Sequence, residues 1–87
     1  MIAMWTPEPD GQLKDELTAA LARPNASWVS PPRPVALTKE VRATGWLWGR
    51  LLTPEGTWLG LATIFRGRFF EGAELGWHPA EDLRTLT

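Results

Sequence analysis

The chain has 87 residues, nine basic and ten acidic side chains, a net charge of −1, six tryptophans and no cysteine. This length predicts one small domain, in which folding buries roughly 60 to 65% of the unfolded surface. The composition excludes disulfides and thiolate metal sites. No apolar stretch approaches the length of a membrane span, and the first residues run at once into proline and acids, unlike a signal peptide. We therefore expect a cytoplasmic protein.

The first predicted element is a helix over about residues 11–23, after an extended, proline-rich lead. Asp10 is a natural N-cap, and Pro24 forces the helix to stop. A single apolar stripe at helical spacing runs along it and consists of Leu13, Leu17, Ala20 and Leu21. We expect an amphipathic helix that buries this stripe against the rest of the domain.

Residues 25–34 contain three prolines, which exclude helix and disfavour an internal strand. The sequence therefore predicts an irregular crossover here, followed by a first strand over the alternating residues 35–41. This gives an N-terminal part, residues 1–34, and a β-barrel, residues 35–87, within one compact domain.

Residues 45–66 predict a central hairpin. Thr53-Pro54-Glu55-Gly56 fits a type I turn with Gly56 in the left-handed conformation of a bulge. Counting outward from that turn pairs Leu52 with Trp58, Arg50 with Gly60, Trp48 with Ala62 and Trp46 with Ile64.

Side chains alternate along strands, so the hairpin has two apolar faces. The odd-numbered face is aliphatic, as expected of a barrel interior, and carries Leu47, Leu51, Leu59, Leu61 and Phe65. The even-numbered face is rich in tryptophan and arginine and carries Trp46, Trp48, Arg50, Trp58 and Arg66. These five residues, with Trp28 of the crossover as an exposed anchor, are the predicted binding residues.

The remainder of the chain predicts two more strands. Residues 66–68 predict a turn, and residues 69–77 predict a strand with a kink at Gly72. Pro79 then begins a single helical turn, and a short last strand runs through Leu86. The fold class is therefore mainly β, with five strands preceded by one helix.

These elements resemble an SH3-like five-stranded barrel over residues 35–87. The tight hairpin and the turn with Trp77, Pro79 and Leu83 before the last strand carry that resemblance. The sequences Leu52 to Gly56 and Trp77 to Ala80 are distantly similar to plasmid-encoded type II dihydrofolate reductases. That family carries a Gln-Ile-Tyr active-site run just before the proline, where this chain has Leu75-Gly76-Trp77-His78. The resemblance therefore implies the fold without the activity.

A second resemblance concerns Trp58, Trp77 and the run Ala80-x-Asp82-Leu83-Arg84. This pattern resembles small tryptophan-rich proteins of unassigned function from high-GC bacteria, their plasmids and phages. It implies a small accessory protein and no mechanism.

The sequence shows no arrangement typical of an enzyme. His78 is the only histidine, and neither Ser27 nor Ser30 lies in a nucleophile motif. A single imidazole with scattered carboxylates does not predict a metal site. We therefore expect no catalytic residue, metal or cofactor.

The functional interpretation depends on what packs against the even-numbered face of the hairpin, which we call the tryptophan face. The chain's own helix is one candidate, and a protein partner or a second copy is another, because aromatic residues and arginine are enriched in interface cores. Residues 42–68 carry four arginines against one glutamate, a local charge of +3. The sequence favours a non-catalytic, self-associating protein–protein interaction module. The alternative is a regulator that binds single-stranded nucleic acid on the same face, with the tryptophans stacking on bases.

Overall fold

The computed structural model describes residues 7–66 and 72–86. Within them the chain forms one helix, five strands and a short 3₁₀ turn. These are α1 (Gly11–Leu21), β1 (Ala26–Leu37), β2 (Ala43–Leu52), β3 (Trp58–Arg66), β4 (Glu74–Pro79), the turn Ala80–Asp82, and β5 (Leu83–Thr85). The predicted mainly β fold with one N-terminal helix is confirmed. In the described part of the chain, no helix is long and apolar enough to cross a membrane.

The five strands form one antiparallel sheet in the order β4-β3-β2-β1-β5. The sheet is curled into a half-barrel. The curl brings the side chain of Leu83 on β5 to the place that a Cβ on Gly60 of β3 would occupy. Helix α1 packs on the convex face, and the concave face encloses a second apolar cluster.

Helix α1 begins where the sequence predicts and ends two residues earlier. The Asp10 carboxylate accepts a hydrogen bond from the Leu13 N–H at 2.8 Å, as an N-cap should. The helix ends at Leu21 and a turn follows it through Asn25. Arg23 directly precedes Pro24, and a residue before proline is disfavoured in the α conformation.

The hairpin turn between β2 and β3 agrees with the sequence prediction. The Gly56 N–H donates to the Thr53 carbonyl at 2.9 Å, and the Thr53 N–H donates to the Thr57 carbonyl at 2.9 Å. Gly56 has φ +84, in the left-handed region that glycine reaches without steric cost. The adjoining pairs, Leu52 with Trp58 and Arg50 with Gly60, also form as predicted.

Beyond Arg50 the predicted register is wrong, because β2 carries a bulge at Trp48. Gly49 pairs with Leu61 and Leu47 pairs with Ala62, so Trp48 is the extra residue between them. The predicted pairs of Trp48 with Ala62 and of Trp46 with Ile64 are replaced by Trp46 with Thr63 and Gly45 with Ile64. A bulge reverses the alternation of faces along its strand. The predicted even-numbered face is therefore divided between the two sides of the sheet.

The first strand is longer than predicted and begins earlier. β1 occupies most of the predicted crossover, residues 25–34, and ends at Leu37, where the prediction extended it to residue 41. The predicted boundary between residues 34 and 35 thus lies inside a strand. Pro31 and Pro32 fall where the register of β1 against β2 shifts, and an interrupted ladder tolerates their missing N–H groups.

The last elements of the chain are of the predicted types. The 3₁₀ turn begins after Pro79, and β5 is the short final strand. The predicted fourth strand, residues 69–77, corresponds to β4, which in the described residues starts at Glu74. Gly72 has φ +74, which suits a change of direction. The predicted turn at 66–68 and the start of that strand at Phe69 lie largely outside the described residues.

Candidate interaction surface

Helix α1 covers the convex face of the sheet, and two of the predicted binding residues lie under it. Leu17 and Leu21 pack with Trp48 and Leu61, and Trp46 packs against this cluster. The side chain of Trp48 is only 4% exposed, and its indole N–H donates to the Thr63 hydroxyl at 2.9 Å. Trp48 thus belongs to the core of the protein, where it cannot contact a partner.

Gly49 explains how closely the helix approaches. A Cβ at this position would lie 2.5 Å from a methyl carbon of Leu21 and 3.1 Å from the Ser27 carbonyl oxygen. The absence of a side chain lets the end of α1 sit directly on the bulged part of β2. The bulge and Gly49 together therefore form the surface on which the end of α1 packs.

The concave face has a closed core and one open end. Val35, Ala43, Ala62 and Ile64 form the buried cluster. Beside it lies a groove of about 330 Å³, which we call the basic groove. Its lining is Arg33, Val35, Leu47, Arg50, Trp58, Leu59, Gly60, Ala80, Leu83 and Thr85.

Trp58 and two arginines give the basic groove its chemistry. Trp58 is 46% exposed. It pairs with Leu52 across the hairpin, and Arg50 lies two residues before Leu52 on the same face of β2. Neither Arg33 nor Arg50 forms an ion pair with a described residue, and none of the described lining residues is acidic. The groove therefore combines an aliphatic floor, an available indole and two guanidinium groups that can bind carboxylates or phosphates.

The other two predicted binding residues lie elsewhere. Trp28 is 47% exposed and pairs with Gly49, on the side of the sheet where the helix lies. Arg66 stands at the end of β3 and donates to Glu40 and Glu74, both at 3.1 Å. Of the six predicted residues, the structure brings only Arg50 and Trp58 together in the groove.

Arg33 is the groove residue that the sequence interpretation missed. The prolines around it favoured an irregular crossover, so its side chain was assigned to no face. Its two-residue spacing from Val35 and Leu37 was the available signal, because those three side chains share one face of a continuous strand.

The far end of the concave face is occupied by ion pairs. Lys39 lies 3.3 Å from Asp82, and both line a cavity with Glu40, Arg66 and His78. His78 lies on β4 opposite Gly60, where the sequence placed it in a turn. The described residues contain no group of three or more side chains suited to a metal ion. Four of the charged side chains at this end thus form ion pairs, whereas the two arginines of the basic groove form none with a described residue.

Comparison with known proteins adds no identification to this geometry. No protein-family model, curated protein or solved structure matches the chain. The function must therefore be argued from the site itself.

Proposed function

We propose that this protein is a non-catalytic protein–protein interaction module that self-associates and uses the basic groove as its contact surface. The observation that carries the proposal is the exposure of Trp58, a residue that is 46% exposed at the edge of a groove with an aliphatic floor. Tryptophan and arginine are the residues most enriched at interface hot spots. Arg33 and Arg50 stand beside Trp58 and lack an intramolecular ion pair among the described residues.

We further propose that the half-barrel is SH3-like. Its order, with β5 beside β1 and the strands β1 to β4 in sequence, is the meander expected of that barrel. The 3₁₀ turn at Ala80–Asp82 just before the last strand supports the same assignment. A fold of this kind serves many unrelated functions, so the groove and not the barrel supports the proposed activity.

Binding of single-stranded nucleic acid is the alternative function. It requires several aromatic rings on one face and a row of cations along the strand. Trp46 and Trp48 pack against the helix, which leaves Trp58 as the aromatic side chain of the groove with two arginines. Two cations provide weak affinity for phosphates at physiological salt. A protein partner fits the aliphatic floor better.

Sedimentation velocity over a concentration series tests the proposal. We expect the wild-type protein to self-associate and Trp58→Ala to weaken association by about thirtyfold or more, the loss that corresponds to a hot spot of ~2 kcal/mol. Trp28→Ala is the matched control, because it removes an equally exposed indole outside the groove. A wild-type protein that stays monomeric throughout, or equal effects of the two substitutions, would refute the proposal.

A further inference from the structure

A second cleft lies on the opposite side of the sheet from the basic groove. It has a volume of about 550 Å³ and is lined by Asp10, Gln12, Leu13, Glu16, Thr63, Ala73 and Leu75. We call it the acidic cleft, because its described lining contains two carboxylates and no cation. It is formed by the first turns of α1, the middle of β3 and the start of β4.

The carboxylates of the acidic cleft are available to a partner. Both Asp10 and Glu16 are exposed. Neither forms an ion pair with a described residue. Asp10 uses one carboxylate oxygen to cap the helix and retains the other. The apolar part of the cleft comes from Leu13 and Leu75, both half-buried.

The two clefts are complementary in charge and share no lining residue. The basic groove presents guanidinium groups around the projecting indole of Trp58. The acidic cleft presents carboxylates around an apolar floor, and its volume exceeds that of a tryptophan side chain. Arginine binds carboxylates through two parallel hydrogen bonds, so such a contact also fixes orientation.

We propose that the partner of the basic groove is a second copy of this chain, joined through its acidic cleft. Trp58 of one copy enters the acidic cleft of the next, and Arg50 or Arg33 pairs with Glu16 there. The two surfaces of this contact differ, so the association is head-to-tail and produces a chain or a closed ring. This inference rests on the proposed self-association and adds the identity of the surface that meets the groove.

Charge reversal on each surface separately tests the contact. We expect Arg50→Glu and Glu16→Lys each to weaken self-association at least tenfold in sedimentation velocity. The controls are Arg84→Glu, an exposed strand position, and Asp15→Lys, an exposed helix position, since neither lines a cleft of the contact. Circular dichroism of each variant establishes that it folds.

Mixing the two reversed variants gives the decisive result. Each variant alone should associate at least tenfold more weakly than the wild type, but the mixture should form a complex, because the intact groove of Glu16→Lys meets the intact cleft of Arg50→Glu. Higher salt should weaken the wild-type contact. If Trp58→Ala and Arg50→Glu abolish association while Glu16→Lys associates like the wild type, the head-to-tail contact is wrong and the groove remains the interface. A monomeric wild type that binds oligothymidylate through Arg50 would overturn the inference and the proposed function together.

Discussion

Trp48 occupies the bulge of β2, and its indole N–H needs a partner because the side chain is buried. The Thr63 hydroxyl accepts this hydrogen bond at 2.9 Å, from the strand beside it. Thr63 is itself buried, at 6% exposed. A buried N–H has given up its hydrogen bonds to water. If it then has no acceptor in the protein, this loss is not compensated and the folded state is destabilised. This single bond therefore fixes the orientation of the buried tryptophan in the helix-covered core.

Replacing Thr63 removes the acceptor and should therefore lower the stability of the protein. We expect Thr63→Val to lower the free energy of unfolding by about 1 to 3 kcal/mol, since the shape is nearly conserved while the indole N–H becomes unsatisfied. Thr44→Val on β2 is the control, because Thr44 is exposed and such changes usually stay within about 0.5 kcal/mol. Urea denaturation measures both. Equal stabilities of the two variants would show that the hydrogen bond does not contribute.

Local rules in the sequence account for some residues and fail for others. Gly56 was predictable, because Thr-Pro-Glu-Gly specifies both the turn and the left-handed conformation. The bulge at Trp48 was not, because the side chains packed against this tryptophan, Leu17 and Leu21, are distant from it in the chain. Period-two counting assumes an uninterrupted strand. It therefore assigned Trp46 and Trp48 to the same face as Trp58.

At the scale of elements, α1 contributes to the core through one stripe. Leu17 is fully buried and Leu21 nearly so, at 0% and 8% exposed, and both contact the cluster around Trp48. An isolated helix of this length is marginal in water. Packing on the convex face must therefore stabilise it, and the two sides of the sheet should respond independently to substitution.

A double-mutant cycle tests that independence. Trp48→Ala should cost about 3 to 5 kcal/mol and Leu17→Ala about 2 to 5 kcal/mol, and together they should show a coupling of about 0.5 to 3 kcal/mol. The control cycle pairs Leu17→Ala with Trp58→Ala, which lies on the other face and should be additive within about 0.5 kcal/mol. Coupling to Trp58 and not to Trp48 would contradict the assignment of faces.

The helix and the hairpin could be predicted because each depends on neighbours in sequence. The N-cap at Asp10, the spacing of the leucines and the proline stop specify α1 almost to its ends. β1 could not be bounded this way, because three prolines argue locally against a strand. Its pairing with β2 on either side of the irregular interval overrides that preference.

At the scale of the whole molecule, the net charge of −1 conceals an uneven distribution. The concave side ends in a groove with two arginines, and the helix side ends in a cleft with two carboxylates. The sequence predicted a local charge of +3 over residues 42–68 and a tryptophan-rich face that needs a cover. The structure divides that face, since the helix covers Trp48 and leaves Trp58 at the groove.

Trp58, and not the similarly exposed Trp28, is the tryptophan that we expect to meet the partner. The most direct test is a concentration series followed by NMR, in which each of the six indole N–H groups gives a separate signal, assigned by single tryptophan-to-phenylalanine substitutions. We predict that the Trp58 signal shifts as the protein self-associates, while the signal of Trp28, which lines neither cleft of the contact, stays constant. A constant Trp58 signal together with a shifting Trp28 signal would contradict this assignment of the interface.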